Sequence, residues 1–435
     1  MDEPRESADR PVAVPLTQGF GRRRFLTMAG GAAAAVAATA WVRPSLLLGG
    51  SAVDAAGVPT GNTLVQLFLR GGADGLSLVA PLGDITYQTL RPGIAVPDGA
   101  ALALDGRFGL HPRAVALKAL YDQGRLAVVP AAGSPAPTRS HFEAQDLMEK
   151  GTPSTNLTPD GWFGRWMTRS GSSEENALRG VGVGNGLQAA LRGSSAISTP
   201  DLSSLLVNDL DTVTWTHAPG EMTRALSEMY RVTTNGALKM QGTAALAVVA
   251  ELAPIVQNSA LPEGWPPEFG RGLWPIARLL SAGIPVEAAA VDIGGWDFHD
   301  HMGSATDPNG EMGRHVAGLD AAIGKFFEYL GPVGDRVTVV VMSEFGRRIE
   351  ANASGGTDHG RGQAMFVAGG GVSGGVKGAW PGLLDTDSGD VRVVNDYRAV
   401  LSEVLAQRMR VTDLGPVFPG FDTSSASWLG VTAPA

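Results

Sequence analysis

No cysteine occurs among the 435 residues. That absence rules out disulfides, thiolate metal ligands and a cysteine nucleophile, so any nucleophile in the chain is oxygen-based. An excess of basic residues is also missing: 34 lysines and arginines stand against 43 aspartates and glutamates, for a net charge of −9. A balance of that sign disfavours nucleic acid or an anionic membrane as the main partner. No apolar run reaches the roughly 20 residues that a membrane-spanning helix needs. No Gly-x-Ser-x-Gly elbow stands at a strand-to-helix turn, which argues against a Ser-His-Asp protease. Internal repeats and coiled-coil heptads are not evident either. Glycine is abundant, with 59 residues, and 44% of the chain is hydrophobic, enough for one large α/β domain or two medium ones.

Residues 1–56 read as targeting rather than fold. Gly21, Arg22, Arg23, Arg24, Phe25 and Leu26 precede an Ala/Gly/Val-rich run from Met28 to Trp41, then Arg43 and Pro44, then small residues from Ala52 to Ala56. This pattern resembles a twin-arginine export signal and leader, which implies a periplasmic or extracellular address. That route carries proteins already folded, so a metal site filled before export is compatible with it.

From about residue 57 onward, strand-like and helix-like stretches alternate with glycine loops. The rhythm predicts a single doubly wound α/β domain over 57–435, a mostly parallel sheet flanked by helices, with a helical insertion at about 152–275. Val337 to Val341 (VTVVV) reads as a strand buried on both faces, and it leads into Ser343, Glu344 and Arg347, a glycine-rich loop, then Asp358 and His359. Thr63 to Leu69 (TLVQLFL) is a second strand, followed by Gly71, Gly72, Ala73 and Asp74. Asp74 is either an ordinary turn aspartate or a group aimed into the crevice where α/β sheets bind ligands. A third strand, Val286 to Ile293, opens into Gly294-Gly295-Trp296-Asp297-Phe298-His299-Asp300-His301. Asp297 and His301 share a face in helical or extended chain, whereas His299 joins them only if the segment is extended. Two His and two Asp within five residues, after a Gly-Gly turn, suit a metal.

A fourth strand, Leu126 to Pro130, ends in a loop that delivers Thr138, Arg139, Ser140 and His141 to a helix running to about Lys150. Ser140 suits the N-cap, with Glu143 completing a capping box. A hydroxyl in that place also suits a metal-activated nucleophile helped by the helix dipole. Elsewhere, helices are expected over Pro112 to Gln123, over Met222 to Val256 with a break at 233–236, and over Gly310 to Leu330. A strand at Ala364 to Ala368, a hairpin around Gly382 to Val394 and a last helix capped by Asp396 and ending near Arg408 complete the chain. Trp162, Trp166, Trp215 and Trp265 read as packing.

Asp74, Ser140, Asp297 with His301, and Glu344 with Asp358-His359 fall in chain order at strand ends, an order that resembles the alkaline phosphatase superfamily. More closely, LFLRGGADGL, RSHFEAQDLME, GGWDFHDH and MSEFGRR…GTDHG, taken with the export signal, resemble the exported family called domain of unknown function 1501 over most of the mature chain. The resemblance implies an alkaline-phosphatase-like fold. It also implies that Asp297 and His301, with His299 nearby and His359 completing the set, hold one metal, and that Asp74 holds another. Glu344 takes the strand-end place where the superfamily usually has Asp, and Ser140, with Thr138 as a rival, takes the nucleophile's. Asp358-His359 is alternatively the superfamily's Asp-His pair displaced by one loop. Arg139 or Arg347 would grip the anion, since a guanidinium matches tetrahedral oxyanions. The implied activity is hydrolysis of phosphate or sulfate esters, on a small molecule or a polysaccharide, with one or two divalent ions (Zn, Mn, Mg or Ca); a pair would stand about 4 Å apart. The modified cysteine of many sulfatases is excluded. Phe345 stands where the superfamily usually has a histidine ligand, and this departure motivates the alternative of a catalytically inactive exported binding or assembly module.

Overall fold

The computed structural model of the protein describes residues 61–154, 157–170, 177–202, 221–256 and 260–433. The expected export signal lies outside the described residues, as does the stretch 203–220 of the expected insertion, with Trp215 in it.

Strand β1 (Thr63–Leu69) is followed by β2 (Val79–Pro81), β3 (Leu102–Ala103) and β4 (Phe108–Leu110), which make a small antiparallel sheet that the sequence did not announce. Then come β5 (Leu126–Gly133), β6 (Gly180–Val183), β7 (Ile197–Thr199), β8 (Ala288–Ile293), β9 (Val337–Ser343), β10 (Gln363–Gly369) and β11 (Gly375–Val376). A short ribbon of β12 (Thr386–Asp387) and β13 (Asp390–Val391) falls within the expected hairpin, and β14 (Asn395–Asp396) leads into the last helix. The central sheet runs β11-β5-β10-β9-β1-β8-β6-β7, with β14 also pairing β5. Its pairings are parallel except those of β10, which is antiparallel to both β5 and β9. The stretch read as a helical insertion therefore also supplies two strands of this sheet.

Both faces of the sheet are covered, which is why its strands read as unbroken apolar runs. Val65 and Leu67 of β1 join one buried cluster, together with Leu117, Leu273, Ile276, Val316 and Ile323 from the helices Val115–Asp122, Pro267–Ser281 and Glu311–Leu330. Leu64 and Phe68 join the other, with Met148, Trp162, Trp166, Tyr397 and Val400 from the helices His141–Lys150, Trp162–Arg169 and Tyr397–Arg408. Each fully buried side chain of this kind contributes about 1.5–3 kcal/mol. The helical run at Met222 to Val256 is two helices, Glu221–Val232 and Gly236–Val256, separated at the expected break.

The parallel strands fix where a site can form, because β1, β5, β8 and β9 release their carboxyl ends at one edge. β10 starts at that same edge, so residues 344–362, which connect β9 to β10, stay there and never cross to the opposite edge.

One buried histidine follows β4 directly. His111 is fully buried, its Nδ1 accepts the Arg113 backbone N–H at 3.1 Å, and its Nε2 has no partner among the described residues. Burial, with the Arg113 charge adding, lowers its pKa from 6.5 to about 4. Between those values the unfolded chain binds a proton that the folded chain refuses, so this group's contribution to stability is lost as pH falls. We expect the stability of the wild type to drop on acidification from pH 6.5 to pH 4 by up to about 1.4 kcal/mol per unit more than that of His111→Gln. Urea midpoints of the two proteins across that range measure the difference.

Candidate metal centre

Asp297 is presented by the loop after β8 in extended chain. Trp296 and Phe298 point into the core while Asp297 and His299 stay accessible, the alternation that extended geometry imposes. Asp297 Oδ1 lies 3.2 Å from His299 Nε2 and 3.4 Å from His359 Nε2, and its Oδ2 lies 3.5 Å from His141 Nε2. His359 Nε2 in turn sits 3.0 Å from His141 Nε2 and 2.8 Å from His299 Nε2. His141, Asp297 and His359 each bring one ligand atom within 4.8 Å of the others.

The partners of the opposite ring nitrogens indicate which atom of each histidine could serve as a ligand. His141 Nδ1 donates to Glu344 Oε1 at 2.7 Å, His299 Nδ1 to Asp358 Oδ1 at 3.3 Å, and His359 Nδ1 to the Arg139 carbonyl at 3.0 Å. Carboxylate and carbonyl oxygens only accept, so each Nδ1 carries a hydrogen, and in the neutral imidazole each Nε2 is left with its lone pair. Lone pairs facing one another at such distances repel unless a cation lies among them. Two imidazole nitrogens, from His141 and His359, and the Asp297 carboxylate form a donor set that fits a divalent transition metal, with His299 Nε2 against two of the three.

Electrostatics keep the set in its binding form. Burial opposes ionisation of Asp297, but the hydrogen bond and charge of Arg347, with His141 and His299 adding, hold its carboxyl below the usual range. Burial likewise works against the Glu344 carboxylate and is outweighed by donors from Gln145, His141 and the Gly71 amide, so it too is held low. The His359 pKa is lowered, chiefly by burial and further by the charges of Arg347, His141 and His299, against the opposing bond to Arg139. A neutral His359 is the form that ligates.

The sequence-predicted residues divide into those the fold gathers here and those it does not. Asp297, His299 and His359 meet. His301 does not: its positive φ of 48° turns the chain, and the ring is 84% exposed, with Asp300 Oδ2 at 3.4 Å. Asp358 and Glu344 stand behind His299 and His141. Asp74 is buried elsewhere, ion-paired through both carboxylate oxygens to the buried Arg91, accepting from Ser77 Oγ at 2.6 Å and capping the short helix Gly75–Leu78. The ordinary turn-aspartate alternative describes those contacts. Arg347 is buried and spends its donors on the protein. Nε bonds the Gly72 carbonyl at 2.6 Å, Nη1 bonds Thr357 at 2.9 Å, and Nη2 reaches the carbonyls of Gly71 and Trp296 and Asp297 Oδ1 at 2.5 Å. Arg139 pairs with the buried Asp390 while remaining 39% exposed at its side chain.

Ser140 is the N-cap residue of His141–Lys150, yet its hydroxyl makes no capping bond and is exposed. Thr138 has taken the Glu143 carboxylate at 2.8 Å, which breaks the expected capping box. Phe345 packs against both histidines, its ring 4.8 Å from that of His141 and 4.9 Å from that of His359. Gly72, at φ 68°, makes room for it: a Cβ there would come within 2.4 Å of the ring. The residue that sequence reasoning left out is His141. A signal was present, since His141, Gln145 and Glu149 recur at every fourth position and so share one helix face. In the structure that face meets the strand ends, through Glu344 for the first two and Arg70 for the third.

A family model described as a protein of unknown function (DUF1501) matches residues 203–410, a span that holds Asp297, His299, Glu344 and His359 but not Asp74 or Arg139 to His141. No curated protein matches the chain. Among solved structures, the chain is similar to the C-terminal periplasmic domain of EcEptC from Escherichia coli in complex with Zn, at 9% identity over 71% of this chain and 72% of that one, with a TM-score of 0.32. It is similar to a protein in the alkaline phosphatase superfamily from Vibrio parahaemolyticus at 11% identity, covering 83% and 73%, with a TM-score of 0.35. The lipoteichoic acid synthase LtaP from Listeria monocytogenes follows at 11% identity, covering 75% and 71%, with a TM-score of 0.31.

Removing the Arg347 guanidinium would strand Asp297 and four carbonyls. Arg347→Met is expected to cost about 2–4 kcal/mol of stability, chiefly because buried carbonyls lose their donors, the Asp297 carboxylate itself being half exposed. Thermal or urea unfolding of the variant against wild type measures it, and a change under about 1 kcal/mol would show that the loops hold without it.

Proposed function

We propose that the chain is an exported, metal-dependent hydrolase of phosphate or sulfate esters that works with one divalent cation. The observation that carries this reading is the convergence of His141 and His359 Nε2 with the Asp297 carboxylate, with His299 Nε2 against the latter two and the exposed Ser140 adjoining His141 in the chain. One ion rather than two follows from Asp74 and Glu344, whose oxygens are engaged by Arg91 and by His141 and its neighbours. His141, Asp297 and His359 are the one such group among the described residues. Imidazole ligands favour zinc or another late transition metal over Mg or Ca, which prefer oxygen-rich shells.

Held there, such an ion supplies Lewis-acid polarisation of the ester oxygens and lowers the pKa of a neighbouring hydroxyl. The chain's own residues supply the rest. Arg139, Ser140 and His141 are consecutive, so one turn of chain brings an anion-binding guanidinium, a nucleophile and a ligand to the same edge. Asp390 occupies Nε and Nη2 of Arg139, which orients the guanidinium and leaves Nη1 for a substrate oxyanion. The first-turn amides and the dipole of His141–Lys150 favour negative charge developing on Ser140 Oγ. A phosphate or sulfate ester, of a small molecule or a polysaccharide, is the substrate class that this combination fits. Export through the twin-arginine route rests on the sequence pattern of residues 1–56.

The test is hydrolysis of p-nitrophenyl phosphate and sulfate by zinc-loaded wild type, Ser140→Ala and His141→Ala. Turnover by the wild type that falls by several orders of magnitude in both variants is the expected result. An ion bound at one per chain with no turnover of either ester overturns the hydrolase reading and leaves an exported metal-binding module, for which the packing of Phe345 between two ligand rings is the supporting observation.

A further inference from the structure

Glu344 carries the strand-end position where a metal ligand was expected, but its surroundings give it a different task. Its side chain is fully buried. Oε1 accepts from the Gly71 amide at 2.9 Å, from Gln145 Nε2 at 2.9 Å and from His141 Nδ1 at 2.7 Å, while Oε2 lies 2.9 Å from Ser343 Oγ. Three donors thus converge on Oε1, while the one hydrogen of Ser343 Oγ is shared between Oε2 and the nearer Leu69 carbonyl at 2.6 Å. Gln145 lies one helical turn from His141 and braces the carboxylate that braces the ring. Asp358 stands in the same relation to His299, through Nδ1 at 3.3 Å, and is itself held by Asn352 Nδ2 at 3.1 Å.

We propose that Glu344 and Asp358 are positioning residues, not ligands: each fixes the ring orientation and the Nδ1–H form of one histidine, and so aims its Nε2 lone pair at the cation, with Gln145 holding Glu344 in place. The proposal rests on the metal centre described above. It assigns unequal stiffness to the two arms. The His141 arm is held by a fully buried carboxylate that two further donors fix in place. The His299 arm hangs on an Asp358 that is 58% exposed, so it is the arm that yields when a substrate enters. Glu344→Gln would turn an amide NH2 toward donors or leave the imidazole Nδ1–H without a negative acceptor, releasing the other tautomer.

Metal affinity measured by competition of zinc against a chromophoric chelator, the absorption spectrum of the cobalt(II) form, and the melting temperature of the metal-free protein together test this. Wild type, Glu344→Gln, Gln145→Leu, Asp358→Asn and His141→Ala are compared. We expect Glu344→Gln and Asp358→Asn to bind zinc about ten- to a hundredfold more weakly, Gln145→Leu to weaken binding less, and all three to keep the wild-type cobalt spectrum. His141→Ala should change that spectrum. Because Asp358 and Gln145 are accessible, their variants report even where Glu344→Gln fails to fold. Affinity unchanged in the folded variants, with only the metal-free melting temperature lowered, overturns the positioning role. A cobalt spectrum altered by Glu344→Gln as by His141→Ala makes Glu344 a ligand and also overturns it. Wild type that takes up neither zinc nor cobalt overturns the metal centre itself, and this proposal with it.

Discussion

One guanidinium holds the carboxyl edge together. Arg347, in the loop after β9, bonds the carbonyls of Gly71 and Gly72 in the loop after β1, those of Trp296 and Thr357, and the carboxylate of Asp297. A planar fork with five donors in fixed directions can bind several loops at once, which an ammonium cannot do with comparable geometry. Burying that charge is tolerable because every contact is to an acceptor and one of them is an anion. The same contacts decide where Asp297 sits, and Asp297 is the group that touches all three histidines. An anion clamp for substrate would need those donors free, so Arg139, with part of its guanidinium open to solvent, is the better placed of the two arginines.

Sheet polarity explains why so much chemistry collects in one place. Parallel strands release their loops at a common edge, and the one reversed strand, β10, begins there. The connection from β9 to β10 can therefore devote itself to the site. It carries Glu344, Arg347, Asp358 and His359, and its two limbs bond each other through Gly346 and Gly360 and through Arg348 and Asp358. Such main-chain bonds give a loop of this length the rigidity that ligand geometry requires.

The strands were legible because burial on both faces erases alternation and leaves unbroken runs such as VTVVV, and the long helices because their apolar spacing is regular. The sense of β10 was not legible, since nothing in Ala364 to Ala368 encodes direction. The small sheet β2-β3-β4 was hidden by strands of two or three residues. At the site, Asp297 and His359 could be read from motif and place, and His299 followed once extended chain was allowed. His301 was misplaced by a single positive φ, a feature that sequence spacing does not carry. Asp74 depends on Arg91, whose approach is a tertiary matter, and the turn reading and the ligand reading looked alike until that partner appeared. His141 passed as a cap-adjacent residue because a lone histidine in a first turn is usually just that. The polar stripe through Gln145 and Glu149 becomes informative only when the helix is known to face strand ends.

Phe345, which looked like a missing ligand, fits this arrangement as a wall. Its ring lies against His141 and His359, with Gly72 on its other side. An apolar wall lowers the local dielectric, which strengthens each hydrogen bond from Nδ1 to its acceptor and raises the cost of leaving the facing Nε2 lone pairs uncompensated.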